Sequence, residues 1–111
     1  MKGTHLGEFE EVVLLSVAIL REKAYGMAIK VEIRRRLGRN PSIGALHASF
    51  NRLEEKGFLE SRESDVAPER GGRRRRYYKI TRSGANALQK ARSIRDEMWK
   101  SIGDLSFGFG K

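Results

Sequence analysis

The sequence predicts a mainly α fold with a small β-hairpin wing: a winged helix-turn-helix followed by a long C-terminal helix. Three observations predict it. Four stretches place apolar residues at helical spacing. Two short stretches, Phe58 to Asp65 and Arg73 to Ile80, look like strands, and the segment between them holds a proline and a glycine pair. The resulting order is helix, helix, helix, hairpin, helix, with a short turn between the second and third helices.

The first helix runs from about Gly7 to Glu22. Acids occupy its first turn, where the helix dipole favours them. From Val12 onward its apolar residues cover most of the circumference, which predicts burial on more than one side. In so small a chain, part of that surface is expected to meet a partner subunit. "KAYG" reads as a turn, and "MAIKVEIRRRL" as the second helix, with Met27, Ile29 or Lys30, Ile33 and Leu37 near one face. Gly38 ends it, and the residue before Pro41 is extended.

Ser42 can cap a third helix from about Ile43 to Lys56. Its apolar face is expected to be Ile43, Leu46, Phe50 and Leu53, closed by Gly57. Thr81 can cap the last helix, about Arg82 to Leu105. Ala87, Ala91, Ile94, Met98, Ile102 and Leu105 recur there at spacings of three and four, a coiled-coil-like stripe. Residues 1–80 are read as the winged unit and 81–111 as a dimerisation helix and tail, together one compact domain.

Composition narrows the function. The 111 residues carry a formal net charge of +9, which favours polyanionic partners, nucleic acid first. Cysteine is absent, so disulfides and thiolate metal sites are excluded. The longest apolar run is too short to span a bilayer and lacks the flanks of a signal peptide. The expected location is cytoplasmic. His5 and His47 lie on different elements, and no metal-ligand cluster, phosphate loop or nucleophile constellation is visible. An enzyme is not expected, nor a cofactor.

The third helix suits a major groove chemically. Its outward face is read as Gly44, Ala45, Ala48 and Ser49, small enough for close approach to base edges. Ser42 and His47 could reach phosphates, while Asn51 and Arg52 are the long polar groups able to read bases. In the second strand Tyr78 and Ile80 are expected to face the core, and Tyr77 and Lys79 to point away. Arg73 to Arg76, with Arg70 at the loop, would then form a phosphate-facing outer wing. The plainer alternatives are a solvated helix face and a charged edge that blocks strand pairing.

Three motifs resemble one family. "YGMAI" is similar to the Tyr-Gly-Tyr-Glu-Ile start of the second helix in PadR-family transcriptional regulators. "SIGALHASFNRLEEKGFLES" resembles that family's Ser-x-Gly-Thr-Leu-Tyr-Pro-x-Leu-x-Arg-Leu-Glu-x-x-Gly pattern. "RRRRYYKITRSGANAL" resembles its Arg-Tyr-Tyr-x-Ile-Thr-x-x-Gly-x-x-x-Leu ending. The likeness runs from about Leu6 to Trp99 and is to the short form of the family. Met27, Ala28, Ala45, His47 and Ala48 depart from the pattern; His47 stands where the family has a tyrosine expected to touch the DNA backbone.

The resemblance implies a homodimer joined by its last helix and acting as a repressor on double-stranded DNA. It also implies that a small planar aromatic effector can bind between the dimerisation helices, with Trp99 beside Ile94, Met98 and Ile102. Two other readings stay open: a weakly specific architectural DNA-binding protein without a ligand switch, and a winged helix whose basic face meets an acidic protein.

Overall fold

The computed structural model describes residues 5–64, 75–105 and 107–108. The element order is α1 (Glu8–Leu20), a 3-10 turn (Arg21–Lys23), α2 (Gly26–Leu37), α3 (Ile43–Glu55), β1 (Leu59–Glu63), β2 (Arg76–Ile80) and α4 (Arg82–Ile102). This is the winged helix-turn-helix with a long last helix that the sequence predicts.

Residue chemistry sets the joints. Gly38 adopts a left-handed φ of 69° and closes α2, its amide donating to the Arg34 carbonyl. Ser42 Oγ accepts from the Ala45 amide at 3.0 Å and starts α3. The turn between them is held by Lys30, whose Nζ donates to Asn40 Oδ1 and the Pro41 carbonyl. Thr81 Oγ1 caps α4 by accepting from the Gly84 amide, and donates to the Gly57 carbonyl at 2.6 Å.

One core lies among α1, α2, α3 and the hairpin. Val13, Leu14 and Val17 of α1 meet Ile29 and Ile33 of α2 and Leu46, Phe50 and Leu53 of α3. Phe58, Leu59 and Tyr78 close it from the hairpin. Phe50 and Tyr78 stack with centroids 4.1 Å apart. Burial pushes the Tyr78 hydroxyl pKa up, and the nearby Glu54 carboxylate adds to this.

The apolar faces differ from expectation at identifiable places. Ile43 is exposed, because it sits on the first turn of α3 beyond the packed core; Ser49, expected on the open face, is fully buried. Met27 and Leu37 are exposed at the two ends of α2, and its buried stripe is Ile29, Glu32 and Ile33. Glu32 tolerates burial because Arg36 and Arg35 both donate to it; these bonds hold its carboxyl pKa below the usual range.

β1 and β2 pair antiparallel, with Leu59 opposite Ile80, Ser61 opposite Tyr78 and Glu63 opposite Arg76. Tyr78 is buried and Lys79 exposed, as the alternation predicts. A rudimentary third strand was not legible in "KAYG". Tyr25 forms an antiparallel bridge to Tyr77, and the Tyr78 amide donates to the Ala24 carbonyl at 2.8 Å.

Candidate nucleic-acid interface

α3 is anchored from behind and open in front. Leu46, Phe50 and Leu53 are buried, while Ser42, Ala45, His47, Ala48 and Asn51 are exposed on the same helix. The His47 ring touches Phe50 edge-on at 5.6 Å, so an exposed imidazole rests against the rim of the core.

Arg52 has a different setting. Its Nε donates to Glu10 Oε2 at 3.1 Å, and a terminal nitrogen lies 3.3 Å from Ser49 Oγ. The side chain stays 54% exposed beside these two bonds. Its visible engagement is structural, joining α3 to α1.

Glu10 is the centre of that joint. It is buried, accepts from Lys56 Nζ at 2.7 Å, and accepts from the Gly7 amide at 3.0 Å. Burial pushes its carboxyl pKa up, but the bonds from Lys56, Gly7 and Arg52 outweigh this and the net shift is downward. Lys56 also donates to the His5 carbonyl. Reading the α1 acids only as partners of the helix dipole missed this clamp, which fixes the C-terminal end of the candidate recognition helix.

The wing begins beside the N-terminus of α2. The Ser64 amide donates to the Arg75 carbonyl at 2.8 Å, and the Arg75 amide donates to Ser64 Oγ. The Arg75 guanidinium lies over the Tyr25 ring, 4.1 Å from its centroid. Arg76 instead donates to Ser61 Oγ at 2.8 Å and pairs with Glu63 at 3.7 Å, so it is partly neutralised within the hairpin. Arg70, Arg73 and Arg74, with the expected hairpin tip, lie outside the described residues.

α4 packs on the apolar core through its first half. Gly84 is buried, and Ala87 and Leu88 lean on the core. Farther along, Arg95 reaches back to Glu11 with bonds of 2.8 and 2.9 Å. Ile94, Met98, Trp99, Ile102 and Leu105 are exposed. Ile94, Met98 and Ile102 line one open groove, whereas Trp99 lines another with Glu11, Leu15, Leu88 and Arg95. Within one chain, then, Trp99 and Met98 do not share a cavity. Arg92 pairs with Asp96 and Arg95 with Glu11, so the two arginines that line the Trp99 groove already have carboxylate partners.

Among the described residues no three histidines, cysteines or acids gather as a metal site. Among them, too, no helix is long and apolar enough to cross a membrane.

Comparison with known proteins agrees with this architecture. The sequence profile of the transcriptional regulator PadR-like family matches residues 14–90. A Lysinibacillus sphaericus protein is 35% identical over 86 residues, covering 76% of this chain and 74% of that one. A PadR-family transcription regulator from Clostridium difficile superimposes with a TM-score of 0.66 at 28% identity, covering 82% of this chain and 93% of that one. One from Eggerthella lenta gives 0.66 at 26% identity, covering 86% and 83%. The hsRosR-S4 complex gives 0.61 at 27% identity, covering 90% and 77%. Family and fold are those of transcription regulators rather than enzymes, and the chain belongs to the PadR-like family of transcriptional regulators.

Proposed function

We propose that this regulator is a sequence-specific DNA-binding repressor that works as a homodimer. α3 enters the major groove through Ser42, Ala45, His47, Ala48 and Asn51, and the wing follows the phosphate backbone with Arg70 and Arg73 to Arg75. The observation that carries the reading is the open face of α3: five small or polar residues exposed over a buried Leu46–Phe50–Leu53 anchor. Alanines allow the backbone close to base edges and can touch a thymine methyl. Ser42 and His47 reach toward phosphates. Because Arg52 is engaged by Glu10 and Ser49, base reading falls mainly to Asn51.

Two features support a dimer. The outer half of α4 exposes an apolar stripe, and Leu15 and Ile19 of α1 are exposed as well. Residues 81–111 then serve as the dimerisation segment of the winged unit formed by residues 1–80. Half-sites read by two such units would lie about one helical turn, roughly 10 base pairs, apart. A planar aromatic effector would bind between the paired α4 helices, where a second chain could bring Trp99 together with Ile94, Met98 and Ile102.

Binding to the DNA upstream of the protein's own gene tests the reading, with competitor DNA and varied salt. A specific complex that survives competitor supports a regulator. Salt-sensitive binding to any duplex would point to an architectural role, and no binding to a protein-interaction module. Quenching of Trp99 fluorescence by a panel of planar aromatics tests the effector, and no response across the panel would refute it.

A further inference from the structure

We propose that Tyr25 is a positioning residue for the wing: its ring holds the Arg75 guanidinium in the pose that meets a phosphate of duplex DNA. The proposal rests on the DNA-binding reading above and adds a residue from outside the wing to it.

Tyr25 occupies the N-cap of α2, so it belongs to the helix-turn-helix. Its backbone bridges to Tyr77 of β2, and the two rings meet edge-on with centroids 5.7 Å apart. Arg75 is the closest cation on any ring among the described residues, at 4.1 Å, against 5.3 Å for Arg39 over Phe9 and 5.9 Å for Arg62 over Tyr77. Its main chain is fixed on both sides by Ser64. Main chain and side chain are therefore both ordered before any ligand arrives.

A stacked guanidinium uses its flat face and keeps its edge. The N–H donors that fork onto a phosphate lie in the plane of the group; one bonds to the Tyr77 side chain, and contact with the Tyr25 ring leaves the others available. The neighbouring Arg76 differs, since its charge is partly neutralised by the Glu63 carboxylate while it also bonds to Ser61. A free arginine must give up rotamer freedom when it docks, whereas one held on a ring has lost much of it in advance. Tyr25 thus raises affinity without adding a phosphate contact. It also ties the wing to the start of α2, so the wing cation keeps a set position relative to the helix-turn-helix.

The test uses the full chain and a labelled 30-base-pair duplex of arbitrary sequence, titrated over a range of salt. Arg75→Gln is expected to weaken binding and lower the salt slope by about one unit, one lost phosphate contact. Tyr25→Leu is expected to weaken binding about three- to tenfold with the slope nearly unchanged, and Tyr25→Phe to bind like wild type. In the Arg75→Gln background Tyr25→Leu should cost little, because the residue it positions is gone. Arg75→Lys leaves the core untouched and keeps the charge without the planar stack. It should reproduce the Tyr25→Leu loss at constant slope, whatever Tyr25→Leu does to folding. Equal losses from Tyr25→Leu in both backgrounds, or wild-type binding by Arg75→Lys, would overturn the positioning role alone. Wild-type binding by Arg75→Gln would overturn the wing contact and the positioning role together. No binding by the wild-type chain at low salt would overturn the DNA reading itself.

Discussion

Replacing Gly84 by alanine sets two physical rules against each other. In a helix interior, alanine is ordinarily more stable than glycine by about 0.5–1 kcal/mol. Gly84, in the first turn of α4, is packed against the start of β1. A Cβ there would lie 2.3 Å from the Phe58 carbonyl oxygen and 2.9 Å from Ile80 Cγ1. To restore ordinary contact α4 would have to back away by roughly 1 Å. That movement is opposed by the hydrogen bond from the Thr81 amide to the same Phe58 carbonyl, 3.1 Å, and by the Thr81 hydroxyl on Gly57. Overpacking a filled site costs about 1–3 kcal/mol, and opposition by backbone groups favours the upper half of that range. For a domain of this size, each kcal/mol moves the midpoint by about 4–8 °C, so Gly84→Ala should lower Tm by about 10–20 °C. Thermal unfolding followed by circular dichroism measures this, at one protein concentration because association shifts Tm. Gly44→Ala is the control: its nearest neighbour would be Ser42 Oγ at 3.9 Å, so it should match or slightly exceed wild type. A Gly84→Ala protein as stable as wild type would refute the packing argument.

Glu10→Gln should lose about 1–3 kcal/mol at neutral pH, because Lys56 and Arg52 lose a charged acceptor. The folded state holds this carboxyl below its ordinary value of 4.5. Its stabilisation is therefore present above that value and fades as pH falls through the lower folded pKa. Denaturant titrations should show the two proteins converging in acid, and a gap that persists unchanged would contradict the assignment. Met98→Glu places a charge on the bare α4 stripe and should weaken self-association at least about tenfold, measured by analytical ultracentrifugation. Met98 is 64% exposed in the single chain, so the protomer should stay folded; an unchanged dimer would exclude this face from the interface. Asn51→Ala should relax base preference by about 1–3 kcal/mol at one position, and a uniform loss across sequences would exclude base readout.

Much of the fold was legible because it rests on local signals. Ser42 and Thr81 cap as their residue types suggest, and Gly38 ends α2 in the left-handed conformation that glycine favours. The period-two pattern placed Tyr78 inward. Errors arose where a face pattern was extended to the end of a helix. Ile43, Met27 and Leu37 all fit their stripes by spacing, yet they lie on first or last turns where no other element packs. Ser49 shows the converse, a small polar residue buried because its hydroxyl finds Arg52. Of the candidate DNA face, residue type and spacing alone pointed to Ser42, Ala45, Ala48 and Asn51, which are exposed on α3. They also pointed to Arg52, whose partner Glu10 lies 42 residues away and leaves no trace in a local pattern.

The acids of α1 show why such partners escape a sequence reading. Glu8, Glu10 and Glu11 have a sufficient local explanation, since acids at a helix start are favoured by the dipole. Each also has a separate distant partner. Glu8 pairs with Arg39 in the turn before α3, Glu10 with Arg52 and Lys56 at the far end of α3, and Glu11 with Arg95 on α4. The Glu8 pair is exposed and contributes little. The Glu10 pairs are the least exposed and fix one end of α3. Adjacent residues on a helix point about 100° apart, so Glu10 and Glu11 leave α1 in different directions. One reaches α3 and the other α4. α1 is therefore the strut between the open helix face and the bare helix that extends from it; its Val13, Leu14 and Val17 are buried in that central position, while Leu15 and Ile19 stay exposed.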